Sequence, residues 1–341
     1  MPVDERPTIA APDDDPYVWL EEIDGACALA WVDTQNAATL ARFGSAGPPA
    51  HRTFAAQALA VAHHEAVSVG GARVAYLQVG PGGTTGDAPV HLSGYVGCAS
   101  AQLPCCNSAI GRRWLESGGT SVTAAIGRGE PWTRWHDIGG RAGERRSHDH
   151  FAAVAADLVR RGVTRPDRIV AEGRASDGIL IANMLTRYPA RFGALFCTVP
   201  LIDMRRYNKL LPGGVGIGDH GDPDDPDDWA FLQTYSAYHL ARARCRYPPI
   251  MLAASRSGDG IHPGHARKMV AKLQAMGHEA YFYEQSPAGG RGHAGSDHDG
   301  AALTELGYLF LRQRIGWPAN ESERCPAGAG GRGLGAPRID P

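Results

Sequence analysis

Short apolar runs alternate with amphipathic stretches from residue 65 to residue 317, and this alternation constrains the fold more than any other feature of the chain. Strands are predicted at 72–79, 90–94, 121–126, 168–173, 194–199, 250–254 and 279–285. Helices are predicted at 148–162, 176–188, 263–276 and 298–314. Continuous apolar runs such as 194–199 are typical of strands in the centre of a parallel sheet. The pattern predicts an α/β fold, with a mainly parallel central sheet flanked by helices that form right-handed crossovers.

The other parts of the 341-residue chain are predicted to flank this domain. Residues 1–16 are acidic and rich in proline, and we expect them to be disordered. Residues 17–43 carry apolar side chains at helical spacing, which predicts an N-terminal helical segment packed on the domain at 65–317. Residues 44–64 start with a Gly/Pro-rich stretch and are interpreted as a linker. The Gly/Ala/Pro-rich residues 318–341 are predicted to be a disordered tail.

Charge and cysteine content narrow the class of protein. The 36 acidic and 34 basic residues give a formal charge of −2, which does not favour nonspecific nucleic-acid binding. No apolar run reaches the ~18 residues of a membrane helix, and the N-terminus lacks the features of a signal peptide. The seven cysteines have no C-x-x-C spacing. We expect a cytoplasmic, reduced protein whose partner is a small-molecule substrate or ligand, not a nucleic acid or a membrane.

Neither a metal nor a cofactor is predicted. The stretch 148–150 and the group formed by His293 with residues 297–299 contain metal-ligand residue types, but neither has a zinc spacing. The acidic run 219–228 lacks the EF-hand pattern. Helix capping at Asp149 and a surface turn at 219–228 are the simpler interpretations.

Several segments, in the same order along the chain, resemble the prolyl oligopeptidase family. They are Asp-Pro-Tyr-Val-Trp-Leu-Glu at 15–21, Leu-Ser-Gly-Tyr-Val-Gly at 92–97, the stretch 130–136 that ends in Trp-His, Tyr-Ser-Ala-Tyr-His at 235–239, and His-Pro-Gly-His-Ala-Arg-Lys at 262–268. The resemblance covers nearly all of residues 15–317. It implies an α/β-hydrolase fold with a catalytic triad in the order Ser…Asp…His.

The residues at the triad positions of that family differ in this chain. The family motif G-x-S-x-G-G aligns with residues 173–178, so Ala175 stands at the nucleophile position. Gly258 aligns with the acid and Arg291 with the histidine. Alanine has no nucleophilic oxygen, glycine has no carboxylate, and a protonated guanidinium cannot act as a general base. The alignment therefore predicts that the inherited serine-peptidase chemistry is lost.

The features that restrict the substrates of the family differ as well. The family places a seven-bladed β-propeller of roughly 300 residues after its N-terminal segment, whereas here only the linker at 44–64 separates that segment from the domain. The stacking tryptophan of the family falls on Gly216, its pocket phenylalanine on Cys98 and its substrate-binding arginine on Gly260. With His220, these are candidate substrate-binding positions. The resemblance implies a pocket that no longer selects proline.

One part of the family's machinery is retained. Tyr95 matches the tyrosine whose hydroxyl, together with the backbone N–H at Ser176, stabilises an oxyanion in the family. Such donors polarise a carbonyl without any nucleophile. Arg291 is a candidate for holding a carboxylate or an enolate. The simpler alternatives are a packing role for Tyr95 and a solvated loop position for Arg291.

A relocated triad is a further alternative. Ser176, Asp259 and His293 follow the substituted positions by one, one and two residues. For Ser176 to act as the nucleophile, the apex of the turn must shift by one residue, and the first flanking position would then be Arg174 instead of glycine. The simpler interpretations are a helix N-cap, a turn residue and a loop residue.

Three hypotheses therefore stay open at this point. The first is an enzyme repurposed for non-peptidase chemistry on a carbonyl-bearing small molecule, by proton transfer, cyclisation or rearrangement. The second is a catalytically inactive binding or scaffold protein. The third is a serine hydrolase that uses Ser176, Asp259 and His293.

Overall fold

An eight-stranded sheet forms the centre of the computed structural model, which describes residues 3–44, 59–82, 86–96, 108–126, 140–175, 177–210, 217–256, 261–286 and 297–318. The strand order is β1-β2-β4-β3-β5-β6-β7-β8. The strands are β1 (Ala60–Val67), β2 (Arg73–Gly80), β3 (Val90–Val96), β4 (Thr120–Ile126), β5 (Ile169–Arg174), β6 (Ala194–Thr198), β7 (Ile250–Ser255) and β8 (Ala280–Gln285). The pairs β1/β2 and β2/β4 are antiparallel and all others are parallel, which confirms the predicted mainly parallel sheet.

Ten α-helices lie in the described part of the chain. They are α1 (Ala26–Phe43), α2 (Ala109–Glu116), α3 (Gly140–Arg160), α4 (Asp177–Arg187), α5 (Tyr207–Leu210), α6 (Ile217–His220), α7 (Pro226–Leu232), α8 (Ala237–Leu240), α9 (Gly264–Ala275) and α10 (Asp297–Arg314). Short 3₁₀ turns occupy Val18–Glu21, Pro166–Arg168 and Pro189–Arg191. None of the helices in these ranges combines the length and the apolarity that crossing a bilayer requires.

The helices cover both faces of the sheet with apolar side chains. Strand β6 shows how one strand serves both layers, because successive side chains point to opposite faces. Leu195 and Cys197 belong to the larger core cluster, whereas Phe196 belongs to the cluster on the other face. The larger cluster includes Leu92, Phe151, Ile181, Leu252 and Met269, and the second includes Trp114, Val170, Tyr308 and Phe310.

The N-terminal segment is more ordered than its composition predicts. Residues 1–16 were expected to be disordered, but the structure places residues 3–16 against the domain, and Pro7 is buried. The Nζ of Lys272 donates to the carbonyl oxygens of Pro7 and Tyr238, each at 2.6 Å. The guanidinium of Arg205 pairs with Asp13 at 2.8 Å. Specific polar contacts thus offset the loss of chain entropy that keeps such a sequence disordered in isolation.

A buried ammonium group at Lys268 holds this segment in place. Its Nζ lies 3.0 Å from Asp15, 2.7 Å from Glu21 and 2.5 Å from Asp203. Burial opposes ionisation of Asp203, but the charge of Lys268 outweighs that effect and holds the pKa of Asp203 well below its usual range. We call these four residues the Lys268 anchor. It joins the N-terminal segment to α9 and to the chain that follows β6.

The expected linker needs a correction, whereas the expected tail lies almost wholly outside the described residues. The expected linker at 44–64 includes the first residues of β1, which starts at Ala60 and pairs with β2 along its whole length. Residues 45–58 and the expected tail from 319 onward are outside the described residues. Only residues 44–59 separate α1 from β1, too few for even one propeller blade of ~40–50 residues.

Candidate active site

The turn between β5 and α4 has the geometry of a nucleophile elbow. Ala175 follows the last residue of β5 with φ +55, a left-handed backbone that is uncommon for residues with a Cβ. The N–H of Ala175 donates to the carbonyl of Thr198 on β6 at 3.1 Å. The N–H of Gly178 donates back to the carbonyl of Ala175 at 2.8 Å. Strand β5 is thus followed by a strained residue, Ala175, which stands at the apex of the turn two positions before the first residue of α4.

Two glycines make this sharp turn sterically feasible. A Cβ added at Gly173 would lie 2.6 Å from Cγ1 of Ile181 and 2.7 Å from the carbonyl oxygen of Asp177. A Cβ added at Gly178 would lie 2.6 Å from Cα of Pro200. Both distances to backbone atoms are too short for any side chain. The glycines on either side of Ala175 therefore let α4 pack closely on β5 and β6.

A second strained residue lies beside the elbow. Val199 follows β6 directly and has φ +50, which is a marked outlier for a β-branched residue. Pro200 comes next and would by itself favour an extended conformation at Val199. The N–H of Val199 donates to the carbonyl of Ala253 on β7 at 2.7 Å. Strain at the carboxyl ends of two adjacent strands is a common property of functional sites.

Asp177 is a partly buried carboxyl group next to the apex, and the sequence interpretation did not identify it. It is the first residue of α4, two positions after Ala175. Burial raises the pKa of Asp177 from its usual value of 3.8 to about 6. In the sequence, Asp177 stands where the aligned motif has glycine, and this difference could have drawn attention to it. The burial of the side chain could not be inferred from that difference.

A second polar group is formed around Glu172 on β5. The Nε2 of His91, on β3, lies 3.1 Å from Oε1 of Glu172 and is fully buried, whereas 15% of the Glu172 side chain is exposed. The hydroxyl of Ser108, which caps α2, donates to the same carboxylate oxygen. The carboxylate thus ties the start of α2 to β3 and β5 three residues before the apex.

Only some of the predicted site residues fall within the described chain. Tyr95 lies near the carboxyl end of β3, opposite Ala125 of β4. His220 ends α6, where its ring packs edge-on against Tyr207 at 5.7 Å between centroids. The predicted positions outside the described residues are Cys98, Ser176, Gly216, Gly258, Asp259, Gly260, Arg291 and His293.

One group of carboxylates in the described residues has the spacing of a cation site. Asp15, Glu21 and Asp203 each offer an oxygen, and these oxygens lie within 4.8 Å of one another. The ammonium of Lys268 occupies the centre of that group and contacts all three. The group is therefore the acidic half of the Lys268 anchor.

The sheet order together with the elbow after β5 defines a protein of the α/β-hydrolase fold. A sequence model described as "Prolyl oligopeptidase family" matches residues 111–316, which is more than half of the chain. The chain belongs to the prolyl oligopeptidase family.

Relatives and solved structures agree with this family. The chain is 33% identical over 231 residues to "Uncharacterized peptidase y4nA" of Sinorhizobium fredii, covering 67% of this chain and 32% of the relative. It is 32% identical over 170 residues to a prolyl endopeptidase of Elizabethkingia miricola, covering 49% of this chain and 24% of the relative. A post-proline cleaving enzyme from Rickettsia typhi superimposes with a TM-score of 0.70 at 26% identity, over 79% of this chain and 39% of that one. The chain thus spans about a third or less of these curated relatives and corresponds to their catalytic domain.

Proposed function

We propose that this catalytic domain acts on a carbonyl-bearing small molecule by proton transfer or rearrangement, without a covalent acyl-enzyme. The observation that carries the proposal is the position of Ala175. Its left-handed φ of +55 marks the apex of the elbow, where a nucleophile would need an oxygen or a sulfur, and alanine offers only a methyl group. Binding donors at the carboxyl edge of the sheet are sufficient to polarise a carbonyl.

The same observation weighs against the relocated triad. An elbow that presents Ser176 needs the strained conformation at residue 176, whereas the described turn has it at Ala175. The relatives are named as peptidases, so hydrolysis of peptides by Ser176 is the alternative against which the proposal is tested. A cytoplasmic location remains part of the proposal, in keeping with the free thiols of Cys27, Cys197 and Cys245.

Labelling with a fluorophosphonate tests the loss of the nucleophile. We expect no adduct on the wild-type chain by intact-mass spectrometry, because no activated serine stands at the apex. The variant Ala175→Ser, Gly258→Asp, Arg291→His restores the aligned triad and should gain an adduct at residue 175. Adding Ser176→Ala to that variant should leave the adduct in place. A wild-type adduct at Ser176 that disappears in Ser176→Ala would instead establish the relocated triad.

Hydrogen exchange tests the proposed chemistry directly. A panel of ketones, β-keto acids and unsaturated carbonyl compounds in D₂O should show protein-dependent deuterium uptake next to the carbonyl in at least one member. We expect this rate to persist in Ser176→Ala and to fall about 100-fold in Tyr95→Phe, since one oxyanion donor is lost. If a panel compound bound to the protein but showed no deuterium exchange, the hypothesis of a catalytically inactive binding protein would be favoured.

A further inference from the structure

The elbow carries one carboxyl group that serine-hydrolase chemistry does not require. We propose that Asp177 is the proton-transferring catalytic residue of this site. Its carboxylate removes a proton from a carbon next to the carbonyl of a bound small molecule, and the resulting carboxylic acid returns a proton to the product. This inference rests on the proposed function, for which it supplies the base.

The backbone that carries Asp177 is held firmly at the carboxyl edge of the sheet. The residue opens α4 only two positions after the strained Ala175. Its own carbonyl oxygen is one of the atoms that leave no space for a Cβ at Gly173. The side chain is buried for the most part but keeps some contact with solvent. Asp177 thus starts α4 at the edge of the sheet where the strained turn lies.

Asp177 also differs from the buried carboxyl groups of the described residues, because no described side chain forms an ion pair with it. Asp203 contacts Lys268, Glu284 is paired with Arg267 at 2.7 Å, and both of those pairs are almost wholly buried. Within the described residues, no side chain donates a hydrogen bond to Asp177. Burying a carboxylate without a partner costs free energy, and proteins usually avoid it. A desolvated carboxyl group beside a strained turn at the sheet edge is a candidate for acid–base function.

The surroundings of Asp177 make its carboxylate a stronger base than an exposed one. Burial alone raises its pKa to about 6, against the tendency of a helix N-terminus to favour the ionised form. At neutral pH the group is then mostly ionised yet holds a proton better than an ordinary aspartate. A base with a pKa close to the working pH is the most effective in proton transfer.

In the part of the chain that the structure describes, the following ionisable groups on elements packed against α4 do not pair with Asp177. On β5, Glu172 is held by Ser108 beside His91, and Arg174 is exposed. On β6, the buried thiol of Cys197 has its pKa raised by burial and, further, by the charges of Asp177 and Glu172. On the neighbouring helices the groups have partners elsewhere: Asp149 accepts from Tyr188, His148 contacts Arg187, Tyr238 donates to Asp15, and His239 contacts the carbonyl of Pro12.

The proposed step is balanced without an oxidant, a reductant or water. The C–H bond next to the carbonyl breaks, its electron pair forms a carbon–carbon double bond, and the carbonyl π pair moves to oxygen. The proton goes to Oδ of Asp177. Return of a proton to that carbon or to a conjugated carbon regenerates the ketone and the carboxylate. The product is an isomer of the substrate when the proton returns to the conjugated carbon or to the opposite face of the original carbon.

The elimination of 5-nitro-1,2-benzisoxazole is a suitable probe, because a base removes one C–H proton, the N–O bond breaks, and a coloured cyanonitrophenolate forms. We expect a protein-dependent rate that rises with pH through an inflection near 6, as the carboxyl group ionises. Asp177→Asn should lower this rate at pH 7 by about 100-fold or more. The matched control Asp227→Asn, in the first turn of α7 and exposed, should leave it unchanged. Asp177→Glu should restore part of the rate together with the inflection.

The role of Asp177 would be overturned if the wild type and Asp177→Asn had equal elimination rates at every pH. This holds whether or not those rates exceed the rate in buffer alone. The role would also be overturned if Asp177→Asn lowered the elimination rate and Asp177→Glu did not restore any of it. A proton-transferring carboxyl group should be replaced in part by the carboxyl group of glutamate. The proposed function fails on a different result, namely fluorophosphonate labelling of wild-type Ser176. The two failures are therefore distinguishable.

Discussion

Replacing Lys268 by methionine should destabilise the protein by about 3–5 kcal/mol at pH 7. The ammonium is fully buried and contacts Asp15, Glu21 and Asp203, whose side chains are 1%, 10% and 1% exposed. Methionine fills a similar volume but leaves three carboxylates close together without their shared cation. Glu21 keeps its pair with Arg206 at 2.6 Å, so the cost comes from the buried charges of Asp15 and Asp203 and not from lost packing.

Urea denaturation followed by circular dichroism measures this change. Lys209→Met is the matched control, since Lys209 pairs with Asp224 at 3.0 Å but both side chains are about half exposed. That variant should lose no more than about 1 kcal/mol, as is usual for surface ion pairs. Equal losses in the two variants would show that the Lys268 anchor contributes no more than an exposed pair.

The same variant should also release the N-terminal segment. Two of the residues that Lys268 contacts, Asp15 and Glu21, belong to that segment. Limited proteolysis should therefore cleave within residues 3–24 faster in Lys268→Met than in Lys209→Met, at a urea concentration where both remain folded. Unchanged cleavage would mean that contacts such as that of Lys272 with Pro7 hold the segment without the Lys268 anchor.

The buried elements of the fold could be predicted from sequence because their apolar periodicity is strong. Helix α1 ends at Phe43, the predicted end of the helical segment at 17–43, and β7 starts at the predicted Ile250. Strand β1 was missed, because its residues 60–67 include two histidines and a glutamate and only Ala66 is buried. An edge strand with one neighbour leaves little apolar signal in its sequence.

The order of the N-terminal segment could not be predicted from its composition. An acidic, proline-rich stretch has no apolar face, so its contacts come from charges far away in the chain. Asp15 and Lys268 are separated by 253 residues. Local sequence contains no information on such a pair, and only the folded sheet brings its members together.

The candidate site was predictable in part. The alignment placed Ala175 in the turn after β5, where the structure has the left-handed backbone. The strain at Val199 and the burial of Asp177 were not foreseen, because both depend on how β6 and α4 pack at the sheet edge. Charge type can be read from sequence, but the desolvation of a carboxyl group is a property of its three-dimensional surroundings.

Asp177→Asn should make the protein more stable at pH 8 than the wild type, by an amount that shrinks as the pH is lowered. The pKa of Asp177 is about 6 in the folded protein, against a usual 3.8. Since the folded pKa is raised, the folded state binds more protons than the unfolded state between these values. The contribution of Asp177 to stability is therefore greatest below pH 4 and is lost as the pH rises through about 6.

The two pKa values differ by about 2, which corresponds to about 3 kcal/mol between pH 4 and pH 8. Asparagine does not titrate, so the difference in unfolding free energy between wild type and variant should change by up to that amount. Urea denaturation at pH 4, 5, 6, 7 and 8 measures it, and the titrations of groups that do not interact with Asp177 cancel in the difference. Asp227→Asn, at an exposed helix start, should show a difference that is flat with pH.

A flat difference for Asp177→Asn as well would mean that the carboxyl group is not desolvated in the folded protein. It would then lack the basicity that proton transfer requires. A pH-dependent difference combined with an Asp177-dependent elimination rate would show that the group which destabilises the fold is the group that moves the proton. A residue that lowers stability in this way is expected where function, and not packing, determines the side chain.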